Sequence, residues 1–308
     1  MGNYYHCAST CCVESQADDG VIVVDEGIVH KFAEGSVLGH RFEELDDKEY
    51  VIGNPLQATK RGNSLEATKR ADKPVHTDKS GALYTGQWLG DKKDGNGTQL
   101  WPDGAVYKGQ WVDGKADGAG RFQYANGDSY EGNCKAGKAH GFGEYKVSNR
   151  SSYAGEWDED KQHGHGCYIG PDGTKYEGQY ENGSKKGKGI LTWKDGCVYE
   201  GQFAKNDING EGVYRWSDGR CFDGQWMESQ MHGIGKFTWP DGRRYEGEYF
   251  NDQKHGEGIL KWSDGRQYTG QWREGKQDGI GSYINGRGLN MAGMWEKGQL
   301  VRWLGDDE

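Results

Sequence analysis

Residues 84–106, with the sequence YTGQWLGDKKDGNGTQLWPDGAV, contain the pattern that decides the fold. The tyrosine that opens this stretch is followed, at intervals of 23 residues, by another tyrosine, a phenylalanine or, in the last copy, a methionine. These positions are Tyr84, Tyr107, Tyr130, Tyr153, Tyr176, Tyr199, Phe222, Tyr245, Tyr268 and Met291. A glycine lies two residues after each of them, and no insertion or deletion interrupts the series. Such a strict period is typical of a tandem-repeat protein.

Each repeat has the pattern of a β-hairpin. Its first half has large and small residues at alternate positions, as in residues 107–111, and its second half does the same, as in residues 118–124. Side chains at alternate positions of a strand share one face. A turn-forming pair such as Asp113-Gly114 separates the two halves. The sequence therefore predicts a hairpin with one aromatic face in every repeat.

The glycines predict how the hairpins pack. A glycine in a strand leaves room for an aromatic ring to lie across the backbone, where a β-carbon would block it. A single hairpin is only marginally stable in water. Neighbouring hairpins are therefore expected to stack and to share one aromatic core.

The repeated pattern Tyr-x-Gly-x-Trp/Tyr, then Gly-x-Gly, then Asp-Gly resembles the MORN (membrane occupation and recognition nexus) repeat over about residues 81–298. The resemblance implies an all-β fold: an elongated single-layer antiparallel ribbon of ten tandem 23-residue β-hairpin repeats, preceded by a mostly irregular N-terminal segment. The predicted organisation is a partly extended N-terminal segment at 1–80, the repeat ribbon at 81–298 and a C-terminal tail at 299–308.

Composition excludes some classes of function. The 308-residue chain has no apolar run near 18 residues, so neither a transmembrane helix nor a secretory leader is expected. Its formal net charge of −10 argues against nucleic acid as a partner, which would require a basic surface. Seven cysteines without the spacing of a disulfide-rich domain fit a reducing compartment, so the cytoplasm is the predicted location.

The first residues contain a candidate lipidation signal. Gly2 becomes the N-terminus when Met1 is removed, and Cys7, Cys11 and Cys12 lie close enough to supply the second acyl chain that stable anchoring needs. However, His6 stands where a myristoylation motif has Ser or Thr. The alternative is an unmodified N-terminus in which these cysteines have no such role.

No catalytic, cofactor or metal site is predicted. Four histidines, His140, His163, His232 and His255, occupy the same repeat position. Successive copies of one position are two strands, or roughly 10 Å, apart in a ribbon, which is too far to share a metal ion. The Gly-x-Gly triplets belong to hairpins and do not precede a helix, which argues against a phosphate-binding loop. We therefore expect a protein without enzymatic activity and without a cofactor.

The aromatic face is the candidate partner-binding surface. If a ribbon buries only one side of its rings, Trp111, Trp157, Trp226 and Trp272 are expected to be partly open and to bind protein partners. The alternative is that packing between repeats buries these rings completely.

Two hypotheses for function follow. In the first, the protein is a scaffold or adaptor in a cytoskeletal assembly, ciliary or axonemal and similar to a radial spoke, because the resemblance implies the settings in which MORN ribbons recur. In the second, acylation of the N-terminus tethers the protein to the cytoplasmic face of a membrane, where the repeats recruit proteins or lipids.

Overall fold

The structure is a computed structural model that describes residues 69–148 and 150–305. These residues form twenty-one β-strands and no helix. The first strands are β1 (Ala71–Thr77), β2 (Leu83–Leu89), β3 (Lys92–Leu100), β4 (Val106–Val112), β5 (Lys115–Gln123), β6 (Ser129–Lys135) and β7 (Lys138–Lys146). They are followed by β8 (Ser152–Asp158), β9 (Lys161–Ile169), β10 (Lys175–Glu181), β11 (Ser184–Thr192), β12 (Val198–Ala204), β13 (Asp207–Arg215) and β14 (Cys221–Met227). The last are β15 (Gln230–Thr238), β16 (Arg244–Phe250), β17 (Gln253–Lys261), β18 (Gln267–Arg273), β19 (Lys276–Ile284), β20 (Asn290–Glu296) and β21 (Gln299–Trp303).

Two kinds of turn join these strands. Within a repeat the turn has two residues, and in the second repeat both Asp113 (φ 51°) and Gly114 (φ 86°) have the left-handed backbone that suits a hairpin. Between repeats the Gly104 N–H donates to the carbonyl of Trp101 (3.0 Å), and the Asp103 side chain accepts from the Ala105 N–H (3.1 Å). The predicted hairpins and their Asp-Gly turns are confirmed.

The chain divides into two compact halves. The N-terminal half contains the described residues up to Asp195 and also Phe203–Asn206, and the C-terminal half contains Gly196–Gln202 and the described residues from Asp207 onward. In the N-terminal half each strand from β1 to β11 pairs with the next in antiparallel fashion. In the C-terminal half the same holds from β13 to β21. The all-β fold of tandem antiparallel hairpins is confirmed, and β1 and β21 add a strand before residue 81 and after residue 298.

A bulge recurs inside the hairpins. In the second repeat Gly109 pairs with Gly120, but the next pair is Trp111 with Ala116, so the two strands advance by different numbers of residues. The same shift occurs between Gly224 and Trp226 in the C-terminal half. An irregularity of this kind leaves backbone groups of the longer strand without a cross-strand partner. The backbone N–H groups that are left unpaired there need acceptors from side chains.

The core consists of aromatic rings. The tyrosine or phenylalanine that opens a repeat is almost completely buried, with exposures of 0–1% from Tyr84 through Tyr268. Inward-facing residues of the second strand, such as Phe237 (0% exposed), complete the core. We call this side of each sheet the ring face and the opposite side the outer face.

Candidate protein-interaction surface

Tyrosine rings on the ring face lie directly over glycines. In the sixth repeat the Tyr199 hydroxyl donates to the carbonyl of Gln202 (3.0 Å), which holds the ring across the hairpin. A β-carbon on Gly212 would lie 2.5 Å from Cζ and 2.6 Å from Cε2 of the Tyr199 ring, and one on Gly201 would lie 2.5 Å from the Cα of Gly212. These distances are far shorter than contacts that real β-carbons make. The prediction that rings lie across the glycines is confirmed.

The four candidate tryptophans are packed between repeats. Trp111, Trp157, Trp226 and Trp272 are between 3% and 6% exposed. Their indole N–H groups donate to the carbonyls of Gly97, Gly143, Gly212 and Gly258, at 3.0–3.2 Å, and each of these glycines belongs to the preceding repeat. The expectation that these rings are partly open is wrong, because rings of neighbouring repeats cover them. Contact between these tryptophans and a partner stays a prediction.

Long side chains from the hairpins close the ring face further. Lys254 is 4% exposed, and its ammonium lies 5.1–5.3 Å from the ring centroids of Trp239, Tyr245 and Trp272. Cation–π attraction offsets part of the free-energy cost of removing such an ammonium from water. Lys185 lies 5.1 Å from the Tyr176 ring, and burial lowers the pKa of its amine to about 8. The ring face therefore contains its own cations, one buried and one partly exposed.

Glutamine side chains fill the bulges. The Gln225 amide oxygen accepts a hydrogen bond from the backbone N–H of Ile234 (2.9 Å). The same bond recurs with Gln87, Gln110, Gln179, Gln202 and Gln271, and with the carboxylates of Glu156 and Glu248. The sequence reasoning missed this role, although Gln or Glu at the fourth position of eight repeats was a visible signal.

The outer face exposes a series of apolar side chains. Phe142 in the N-terminal half and Ile234 and Ile280 in the C-terminal half are 60–64% exposed. Each stands between the two glycines of a Gly-x-Gly triplet. Sequence reasoning missed them because the triplets were interpreted only as hairpin elements.

In the C-terminal half Ile234 belongs to a larger group of exposed side chains. We define the outer patch as Met227, His232, Ile234, Phe250 and His255. Phe250 is 52% exposed and Met227 is 44% exposed. The rings of His232 and His255 lie 5.2 Å and 5.8 Å from the Phe250 ring. An exposed apolar patch with polar neighbours is typical of a protein-interaction surface.

The histidines were also considered as metal ligands by their position in the repeat, and one of them contacts a carboxylate. His140 Nδ1 lies 3.2 Å from a carboxylate oxygen of Asp158, in the N-terminal half. Within residues 69–148 and 150–305 there is no group of three His, Cys, Asp or Glu side chains placed to hold a metal ion. The same residues contain no helix long and apolar enough to cross a membrane.

The cysteines that the structure describes are not those of the candidate lipidation signal. Cys134 is 4% exposed, and burial, with Asp160 nearby, raises the pKa of its thiol to about 12. This thiol keeps its proton at neutral pH. The candidate lipidation residues Gly2, Cys7, Cys11 and Cys12 lie outside the described residues.

Most of the repeats match a known family. The MORN repeat matches residues 84–106, 107–129, 130–151, 153–175, 176–198, 199–219, 222–243, 245–265 and 268–288. The half repeat that begins at Met291 lies beyond the last match. No curated protein sequence shows significant similarity to the chain.

Three solved structures are similar over much of the chain but at low identity. The E1021V mutant of the TCP10 domain of Danio rerio CPAP is 11% identical, with a TM-score of 0.29, over 75% of this chain and 99% of that one. The G-box domain of the microcephaly protein CPAP is 13% identical, with a TM-score of 0.36, over 66% and 99%. The Drosophila melanogaster SAS-4 TCP domain, in complex with a proline-rich motif of Ana2, is 14% identical, with a TM-score of 0.26, over 71% and 99%.

Proposed function

Because the chain belongs to the MORN-repeat family, whose repeat matches more than half of its residues, we propose that it is a non-catalytic scaffold that holds protein partners in a cytoskeletal assembly. The finer proposal is a ciliary or axonemal assembly similar to a radial spoke, which rests on the resemblance alone. The observation that carries the scaffold proposal is the outer patch, an exposed apolar surface on regular hairpins.

The outer patch has the chemistry of a docking surface for protein. Its apolar side chains, Met227, Ile234 and Phe250, are 44–60% exposed, whereas the rings of the opposite face are buried. Apolar side chains that are desolvated by a partner contribute most of the binding free energy in protein interfaces. Two histidine rings beside Phe250 add hydrogen-bonding groups at the edge of the patch.

Polar groups that could take part in chemistry have structural roles in the repeats. Tyr199 donates to a backbone carbonyl, and Gln225 accepts from a backbone N–H. Cys134 is buried and protonated, so it is a poor nucleophile. These roles support a scaffold over an enzyme.

A cross-linking experiment tests the proposal. The full chain with an affinity tag is expressed in its native cell, and cross-linked proteins are identified by mass spectrometry. We expect the Met227→Ser/Phe250→Ser variant to lose about tenfold or more of a specific cytoskeletal partner, because about 1.4 kcal/mol changes binding tenfold. Ile190→Ser is the control, since Ile190 is also exposed (42%) but lies in the other half. Equal recovery of all partners with both variants would contradict a role for the outer patch.

The alternative is a membrane-tethered organiser, and the N-terminal sequence motivates it. One acyl chain gives only marginal binding, so Gly2 and the cysteines must both contribute. Cells that express Gly2→Ala or Cys11→Ser/Cys12→Ser are fractionated without detergent. Release of either variant from membranes would favour the organiser, whereas an unchanged cytoskeletal fraction would favour the scaffold.

A further inference from the structure

The segments that join one repeat to the next are basic in the C-terminal half. Residues 215–221, 238–244, 261–267 and 284–290 contain seven arginine and lysine residues but only three aspartates. Their net charge is therefore +4, whereas the whole chain has a formal net charge of −10. The five equivalent segments of the preceding repeats, between residues 100 and 198, have a net charge of zero. Positive charge is thus concentrated at one series of turns.

Three of the arginines are held in the same way in successive repeats. The Arg220 guanidinium lies 5.2 Å from the ring centroid of Trp216, on the ring face, and its Nε–H donates to a carboxylate oxygen of Asp218 (2.7 Å). The other oxygen of this carboxylate accepts from the backbone N–H of Arg220 (3.0 Å). The next two repeats have the same contacts, made by Trp239, Asp241 and Arg243 and by Trp262, Asp264 and Arg266. A ring and a carboxylate therefore orient each guanidinium before any partner binds.

We call Arg220, Arg243 and Arg266 the arginine row. Each guanidinium has five N–H groups in a planar fork, and the aspartate accepts the one on Nε. Arg266 also bonds the side chain of Tyr283. The side chains of Arg220 and Arg266 are 30% and 38% exposed, and that of Arg243 is 13% exposed. Because a guanidinium fork can bind a carboxylate through two parallel hydrogen bonds, the row is suited to a series of carboxylates.

The spacing of the arginine row matches that of an extended polypeptide. Equivalent residues of successive repeats are two strands apart, which is about 9.6 Å in an antiparallel sheet. Three residues of an extended chain span about 10 Å. A peptide that runs along the row with an acidic residue at every third position would therefore place one carboxylate beside each arginine.

The aspartates of the same turns select against denser anions. Asp218, Asp241 and Asp264 alternate with the arginines, and their side chains are 50–53% exposed. A nucleic acid or an anionic membrane would bring phosphates against these carboxylates as well as against the arginines, and like charges at close range repel. A peptide with two uncharged residues between its acidic residues avoids this repulsion.

We infer that the arginine row binds an extended acidic segment of a partner protein, with a carboxylate at every third residue. The row lies on the ring face, so this surface is separate from the outer patch, and the inference goes beyond the scaffold proposed above. It gives the C-terminal half two surfaces of different chemistry, one apolar and one that recognises carboxylates.

Peptide binding to the purified full chain tests the inference. The probe is a fluorescent peptide of four Glu-Ser-Gly units, and the control peptide has the same composition with its four glutamates in succession. In fluorescence anisotropy at low salt, where charges are least screened, the spaced peptide should bind about tenfold more tightly than the control peptide. The Arg220→Gln/Arg266→Gln variant should bind the spaced peptide about tenfold more weakly than wild type. Arg121→Gln/Lys146→Gln is the matched control and should bind like wild type, since it removes two exposed cations from the N-terminal half.

A second variant distinguishes a loss of binding from a loss of folding. Asp218→Asn/Asp264→Asn removes two negative charges beside the row, and Asn126 already makes the same backbone bond in the second repeat (3.0 Å). This variant should bind the spaced peptide about threefold more tightly than wild type, a gain that unfolding cannot produce.

Three results would overturn the inference. The first is that the wild type does not bind the spaced peptide, or binds both peptides equally. The second is that neither the arginine variant nor the aspartate variant changes the affinity. The third is that phosphatidylserine vesicles or a thymidine oligonucleotide bind more tightly than the spaced peptide through the same two arginines, because the row would then be a site for lipid or nucleic acid.

Discussion

Substitution of Gly201 by valine measures how strongly ring-over-glycine packing holds the repeats. The backbone of Gly201 is not in the left-handed region, so the effect of a larger side chain is steric. The new β-carbon would lie 2.5 Å from the Cα of Gly212, and a normal contact of at least 3.4 Å requires the strands to separate by about 1 Å. Overpacking of this kind costs about 1–3 kcal/mol.

The new β-carbon would also overlap the Tyr199 hydroxyl, which donates to the carbonyl of Gln202. Displacement of the Tyr199 ring weakens that hydrogen bond, at about 1 kcal/mol, and brings the expected decrease in unfolding free energy to about 2–4 kcal/mol. Urea unfolding followed by tryptophan fluorescence measures it. Gly286→Ala is the control, because no atom lies within 4 Å of the added β-carbon and the backbone is unstrained. A loss below about 0.5 kcal/mol for Gly201→Val would refute the packing argument, since ordinary point changes already span about 0.5–3 kcal/mol.

Four further predictions concern the repeat, a partly buried amine, a buried thiol and a bulge. Deletion of the 23 residues 222–244 should leave circular dichroism per residue nearly unchanged, whereas deletion of the 12 residues 222–233 should unfold the chain, because a change of register exposes the ring face; equal tolerance of both would contradict the repeat boundaries. Lys185 has a folded pKa of about 8 against 10.5 in the unfolded chain, so the unfolded state binds more protons between these values and stability should rise with pH across that window. The Lys185→Met variant should lack this rise, and at pH 7 it should be up to about 3 kcal/mol more stable than wild type, less any cation–π contribution. Thermal unfolding at a series of pH values measures both effects, and parallel pH profiles of the two proteins would contradict the prediction. Cys134 should react with iodoacetamide on the order of 1000-fold more slowly in the folded protein than in the unfolded chain, because its pKa is raised to about 12, and mass spectrometry of timed samples will show whether it does. Gln225→Ala should cost about 1 kcal/mol and Gln225→Glu much less, because Glu248 makes the same bond in the next repeat; equal losses in chemical unfolding would show that the side chain does not support the bulge.

The period of the sequence was sufficient to predict the hairpins, their turns and the glycines beneath the rings. Tyr107 and Gly109 share a face because alternate positions of a strand do so in any sheet. The bulge at Trp111 was not predictable in this way. It arises because two residues of one strand lie opposite four residues of its neighbour, from Gly109 and Gly120 to Trp111 and Ala116. The recurring glutamine, Gln110 in this repeat, was a signal of the bulge. It can be interpreted only when one knows which backbone N–H lacks a cross-strand partner.

Exposure was the least predictable property. Alternation places Trp226 on the ring face but does not show that its indole reaches the Gly212 carbonyl of the preceding repeat. Burial of Lys254 among three rings was equally invisible, because lysine is normally a surface residue. The exposed Ile234 had a signal, since it is a large apolar residue at a position that is polar or small in most repeats.

The indole bonds between neighbouring repeats bear on how the chain folds. Trp111 reaches back 14 residues to Gly97, and Trp272 reaches back the same number to Gly258. Most β-proteins fold slowly because their strands pair across long separations in sequence, whereas contacts between near neighbours form quickly. Each of the four tryptophans that make this bond is held to the repeat synthesised just before its own. A chain that emerges from the ribosome can therefore complete its hairpins one after another, and each new repeat needs only the previous one in place.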